Sequence, residues 1–288
     1  MSKLSISATI PKQIRKWVCH KLECFGEYIE AYTRALDDNR CCYLELYAGC
    51  GNCICKGTDC VIEDSALRAL GTERKFDKYI LIVRDDGDAK NLKKLTAPYH
   101  TADIEIISGN CTSEKVLQQA FDLIPRSASS FALIDPPGYR RLRWSTIKKL
   151  AAHGRDWRGH KIELLIIFPL EMALLRNLTR PECQASITRL YGNRRWEELS
   201  HKRLEGKIGA EAMRRQLVKL FKGGLKGLGY KHVEDFKPAS PSKQPFYHII
   251  LASDSKLGTK MLKAAWGKER YLPCELLYNR EGQNIGER

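Results

Sequence analysis

The feature that most limits how this chain can fold is a rhythm. Short apolar runs recur along the first 170 residues, separated by stretches of helical period, and most of them end on small or acidic residues. The runs are Cys42–Tyr47, Lys78–Val83, Ile104–Ile107, Ser130–Ile134 and Ile162–Phe168. Continuous apolar runs of this length suit strands covered on both faces. Strands alternating with helices predict an α/β fold with a mainly parallel, doubly wound, Rossmann-like sheet. Helices are predicted near 61–71, 87–95, 113–123 and 144–153. Another is predicted over 10–37, where Ile14, Trp17, Val18, Leu22 and Phe25 recur near helical spacing before Asp37-Asp38-Asn39 turns the chain.

After Pro169 the rhythm stops. Residues 170–227 are helical in pattern, polar and basic, and are read as a helical insertion. Tyr230–Phe236 and Phe246–Leu251 then resume strand character across a loop rich in Pro and Ser, which predicts an antiparallel hairpin at the sheet edge. A helix over 258–266 and a polar, loosely held tail after Cys274 complete the chain. The expected organisation is residues 1–169 as an N-terminal helix and the first part of the Rossmann-like domain. Residues 170–227 are the basic helical insertion, and 228–288 the remainder of the domain with its hairpin and tail.

A length of 288 residues suits one large domain or one domain with an insertion, and 43% hydrophobic residues excludes wholesale disorder. No apolar run approaches the ~20 residues that span a bilayer, and the first residues lack a secretory apolar core, so the expectation is a cytoplasmic protein without a membrane partner. The 11 cysteines then read as free thiols. The net charge of +15 is concentrated. Between Arg140 and Lys231 there are 22 Lys and Arg against 8 Asp and Glu, a net of +14. A solvated helical face carries scattered charge, whereas a regional excess of this size points to a polyanion, with nucleic acid (DNA or RNA) as the expected partner. No G-x-x-x-x-G-K-[ST] loop is present, which argues against an NTPase, and the seven histidines show no metal-ligand spacing.

In an open α/β sheet, ligands sit beyond the carboxyl ends of the strands. The first strand carries Glu45 and runs into Gly49-Cys50-Gly51, where two glycines permit a sharp turn and close approach of a ligand, or form an ordinary tight turn. G-x-G-x-x-G is not met, because position 54 is Ile. Asp85 and Asp86 follow the second strand. A carboxylate there accepts both hydroxyls of a ribose, or caps the next helix. Asn110 follows the third strand, with an amide that matches an adenine edge or serves the turn. Asp135-Pro136-Pro137-Gly138 ends the fourth and is the most specific motif. Prolines fix φ and leave their carbonyls free. Asp135 and a proline carbonyl can therefore receive both hydrogens of an exocyclic amine and aim its lone pair, a contribution of orientation and electrostatics.

At these residues the chain resembles the three-Cys-motif partner (TcmP) family, from about Ile14 to Trp266. The matching blocks are Tyr43–Gly51, Phe131–Gly138 with Trp144 and Thr146, Leu164–Pro169, and Phe246–Ser253 with Gly258. The resemblance implies a class I S-adenosylmethionine-dependent methyltransferase fold. It also implies kinship with enzymes that methylate amino groups of nucleic acid, adenine N6 among them, and a possible separate partner protein bearing three cysteines. Gly49 and Gly51 would then pass the methionine end of the cofactor with Glu45 held nearby, Asp86 or Asp85 would hold the ribose, and Asn110 the adenine. Asp135, Pro136 and Pro137 would form the catalytic motif. Three positions depart from the family pattern: Arg84 stands where Glu is usual, Asn110 where Asp is common, and Pro137 where an aromatic is usual. Tyr139 or Phe168 are the candidates to supply that missing ring.

Arg140, Arg141 and Arg143 beside the fourth motif, and Arg194, Arg195, Arg214 and Arg215 in the helical segment, are the candidate phosphate contacts. Trp196 among them is a stacking candidate, or core. Cys50, Cys53, Cys55 and Cys60 form C-x2-C-x-C-x4-C, which fits no common metal knuckle, and no metal is assigned. The alternative to an enzyme is a methyltransferase-like fold that has lost catalysis and serves as a nucleic-acid-binding partner subunit.

Overall fold

Eight consecutive residues, Cys41–Ala48, form the central strand β2, and all but one are buried, as a strand covered on both faces requires. The computed structural model of the chain describes residues 11–36, 40–57, 60–125, 127–237 and 247–266. The expected turn at 37–39, much of the hairpin link and the tail after Cys274 lie outside these residues.

In chain order the elements are β1 (Lys12–Ile14), α1 (Lys16–Arg34), β2, β3 (Asn52–Cys55), β4 (Val61–Glu63), α2 (Ser65–Gly71), β5 (Lys78–Val83), α3 (Asp86–Thr96), β6 (Ile104–Ser108), α4 (Glu114–Leu123), β7 (Ser129–Ile134), α5 (Trp144–Ala152), β8 (Glu163–Phe168), a π-helical turn at Leu170–Leu174, α6 (Leu175–Asn177), α7 (Pro181–Tyr191), α8 (Arg195–Leu204), α9 (Ala210–Gly227), β9 (His232–Phe236), β10 (His248–Ser253) and α10 (Leu257–Trp266). Seven strands make one sheet in the order β6-β5-β2-β7-β8-β10-β9. The pairings among β6, β5, β2, β7 and β8 are parallel, while β10 runs antiparallel to both β8 and β9. The predicted doubly wound sheet and its antiparallel edge hairpin are both present.

Period-two alternation sorts the strand side chains. Cys42, Leu44 and Leu46 face a core shared with α4, α5 and α7–α9. Tyr43, Leu81, Phe131 and Leu133 face the other, shared with α1, α2, α3 and α10. The segment after Pro169 is helical, as its sequence predicts, and it is locked to α5 by one side chain. Trp144 packs edge-on against Phe221 at 5.3 Å, and a Cβ on Gly192 or Gly224 would lie 2.1 or 2.6 Å from its ring.

Two expectations fail near the first motif. Residues 61–63 are strand rather than helix, and α2 starts only at Ser65. The helix predicted over 10–37 starts only at Lys16, after β1. β3 and β4, inserted between the glycine turn and α2, form a separate three-stranded sheet with β1 from the start of the chain. Strands of three or four residues carry too little periodicity to be seen in sequence. This small sheet also gathers thiols. Cys19 and Cys55 lie 2.6 Å apart sulfur to sulfur, with Cys53 and Cys60 in the same small core. Among the described residues, no group of three or more His, Cys, Asp or Glu could hold a metal ion. No described helix is long and apolar enough to cross a membrane.

Candidate functional site

The strand order reverses at β2. Its neighbours are β5 on one side and β7 on the other, so the carboxyl ends of β2 and β7 flank the crevice where an open sheet takes ligands. Glu45 is in register with Leu81 on one side and Leu133 on the other.

Glu45 is 1% exposed and fully engaged: Ser65 Oγ donates to it at 2.5 Å and Tyr43 OH at 2.8 Å. Burial, with Asp64 beside it, pushes its carboxyl up to about 8. It therefore ties β2 to the start of α2. The glycine turn is shaped by Asp64, which the sequence reading missed. This buried carboxylate accepts from Gly51 N at 2.7 Å and, as N-cap of α2, from Ala66 N at 3.1 Å. A Cβ on Gly49 would lie 2.7 Å from Asp64 Oδ2. Gly51 has φ +99°, where a side chain is strained, and its Cβ would lie 2.6 Å from Leu95 Cδ1. The turn needs glycine for its own packing. The signal for Asp64 was available as Asp-Ser ahead of an apolar helix. Next door, a hydrogen bond with Cys53 pulls the Cys50 thiol down.

The two acids after β5 divide their labour. Asp85 caps α3, accepting from Gly87 N at 2.9 Å and Asp88 N at 3.0 Å. Asp86 accepts from the Ser108 hydroxyl across the β5–β6 boundary and is exposed. Both acids are exposed, and Asp86 is the one not spent on capping the helix. Asn110 Oδ1 is committed to its turn, accepting from Thr112 N at 3.1 Å and Thr112 Oγ1 at 3.0 Å, which leaves its NH2 end to donate. Arg84 is exposed beside these residues.

At the end of β7, Pro136 is buried and Pro137 exposed. Asp135 Oδ2 is ion-paired with Lys21 from α1, whose side chain is 9% exposed. No sequence signal relates residues 114 positions apart in this way. Lys21 Nζ also lies 5.8 Å from the centre of the Trp17 ring, which packs at 5.5 Å against Tyr247. The rings proposed to replace the missing aromatic do not serve. Tyr139 and Phe168 are 2% and 0% exposed, and Phe168 packs on Phe221 at 4.7 Å.

The arginines are not equivalent. Arg140 donates to Cys183 Sγ at 3.2 Å and to Tyr139 OH at 3.3 Å, while Tyr47 OH donates to the Arg141 carbonyl at 2.6 Å, fastening this turn to β2. Arg140, Arg141, Arg143, Arg195 and Arg215 are exposed. Arg194 is exposed but paired with Glu197 at 2.8 Å, and Arg214 is drawn inward onto Glu171 at 2.7 Å. Trp196 is core: it is 1% exposed and donates to Thr188 Oγ1 at 3.1 Å.

A cleft of about 460 Å³ opens at the opposite end of the sheet, between Phe121, His153, Asp156 and His160, and none of the motif residues lines it.

No protein-family model matches the sequence, and no curated protein does. Solved structures similar to the chain include an rRNA methylase from Streptococcus thermophilus, at 9% identity over 80% of this chain and 94% of that one, with a TM-score of 0.40. The DszA carbon methyltransferase is similar at 13% identity over 79% and 51%, TM-score 0.41. The plantazolicin methyltransferase BamL, solved with a triazolic desmethyl analogue and SAH, is similar at 10% identity over 83% and 86%, TM-score 0.37.

Proposed function

We propose that the chain binds S-adenosylmethionine at the carboxyl ends of β2, β5 and β6. It would then methylate an exocyclic amine of a nucleic acid base, of the adenine N6 kind, at the end of β7. The observation that carries this reading is that β2 and β7 are parallel neighbours, in register at Glu45 and Leu133, so that Asp135-Pro136 and the Gly49–Gly51 turn follow at the same end of the sheet where the strand order reverses. The donor chemistry fits an adenosine: Asp86 would hold the ribose hydroxyls and the Asn110 NH2 group the adenine edge. The cofactor would supply a methyl group on a sulfonium; the acceptor amine would take it as the carbon–sulfur bond breaks to leave a neutral thioether, and would then release one N–H proton to water. Asp135 and the Pro136 carbonyl would orient that amine, a contribution of positioning and fixed charge. Arg140, Arg141, Arg143, Arg195 and Arg215 would meet phosphates.

A second reading, a non-catalytic nucleic-acid-binding subunit, draws on the ammonium already seated on Asp135. Calorimetric titration of S-adenosylmethionine into the nucleic-acid-free protein tests the proposal. Binding that weakens at least about tenfold in Asp86→Ala supports it, since a ribose-holding charged hydrogen bond is worth about 1.5–3 kcal/mol. Cofactor binding without transfer in Asp135→Ala separates enzyme from scaffold. Absence of cofactor binding to the folded wild type would sink the enzyme.

A further inference from the structure

The pair between Lys21 and Asp135 sets what the acceptor site can hold. A lone carboxylate in a partly buried crevice attracts cations, and a site built on it would favour a protonated alkylamine such as a lysine side chain. Here that charge is already matched. Lys21 reaches across from α1, is 7% exposed overall, and ion-pairs with Asp135 Oδ2. The ammonium is held in place by its helix and flanked by Trp17, with Tyr247 packed behind. The oxygen left to a ligand is Oδ1, on a carboxylate whose net charge with its partner is zero. Placing a second ammonium on Oδ1 puts like charges a few ångströms apart in a partly buried site, where repulsion is screened less than in open water. A neutral amine donating one N–H to Oδ1 meets no such repulsion.

We propose that Lys21 is a specificity-determining residue that restricts the acceptor to a neutral, conjugated amine, of the kind carried by nucleic acid bases, and excludes alkylammonium groups. This rests on the methyl-transfer reading and deepens it. A conjugated amine is uncharged at neutral pH, so it needs no base to free its lone pair. The site accordingly needs from Asp135 only orientation, which a carboxylate with one oxygen already occupied still provides.

The test compares two probes, n-butylammonium and 9-methyladenine, titrated calorimetrically into wild type, Lys21→Met, Lys21→Gln and Lys21→Arg, each saturated with S-adenosylhomocysteine. Lys21→Met keeps the length and removes the charge. Lys21→Gln stands in if the Met variant does not fold by circular dichroism. The expected result is that wild type and Lys21→Arg bind 9-methyladenine and reject n-butylammonium. The neutral variant then gains n-butylammonium affinity by at least about tenfold, and loses that gain when Asp135→Asn is added. A purely structural lysine would not exchange one probe for the other. Equal n-butylammonium binding by wild type and both neutral variants overturns the proposal. Failure of every protein to bind S-adenosylhomocysteine refutes instead the methyl-transfer reading beneath it.

Discussion

Glu45 offers the sharpest physical test of the site, because its predicted effect has a sign, a size and a pH window. Its carboxyl lies buried on β2, receiving hydrogen bonds from Tyr43 and Ser65, and burial raises it from 4.5 to about 8. In the unfolded chain it loses its proton near the lower value. Between about pH 4.5 and about 8 the folded state therefore binds more protons than the unfolded state, so this group's contribution to stability falls as pH rises through that window. At ~1.4 kcal/mol per pH unit, the separation of the two values corresponds to about 5 kcal/mol as an upper bound. Glu45→Gln keeps the shape and fixes the group in its neutral form. Urea unfolding of both proteins should give similar stabilities near pH 4.5 and a gap in favour of the variant that widens to several kcal/mol by pH 8. Glu163, which burial raises to about 7, titrates in both proteins and cancels in the difference. Parallel curves across the window, or a gap that widens toward acid, would refute the placement of a buried, nearly unsolvated carboxyl between β2 and α2.

Other outcomes follow from single contacts. Gly51→Ala combines φ +99° with a 2.6 Å approach to Leu95, and should cost about 2 kcal/mol in urea unfolding. Asp254 is pushed up by burial, but the amide and ammonium of Lys161 and the amide of Lys231 outweigh this and hold it below the usual carboxylate range. Its contribution is present above the unfolded value and lost as pH falls through the folded one. Asp254→Ala strands the buried Lys161 ammonium and should lower stability by about 3 kcal/mol at neutral pH, which thermal or urea unfolding would show.

The sequence by itself determined the layers. Each apolar run of the main sheet became a strand within two residues of its expected ends, and the inner strands β2, β5, β7, β8 and β10 are covered on both faces and so are apolar almost throughout. The motifs at the strand ends were legible for the same reason: a strand-to-helix turn leaves a short list of tolerated residues. Tertiary structure alone decided what those motifs face. Asp85 and Asp86 are adjacent and chemically identical, yet one caps α3 and the other accepts from the Ser108 hydroxyl of β6. Tyr139, Phe168 and Trp196 look like candidate stacking platforms in sequence and are packed away in the core. The small sheet of β1, β3 and β4 came from strands too short to show a period. Lys21 met Asp135 only because α1 crosses the sheet toward its N-terminal edge, where Tyr28 reaches Glu163 at 3.0 Å. Local pattern encodes which face is buried; the pairing of charges distant in sequence is settled by how the helices lie across the sheet.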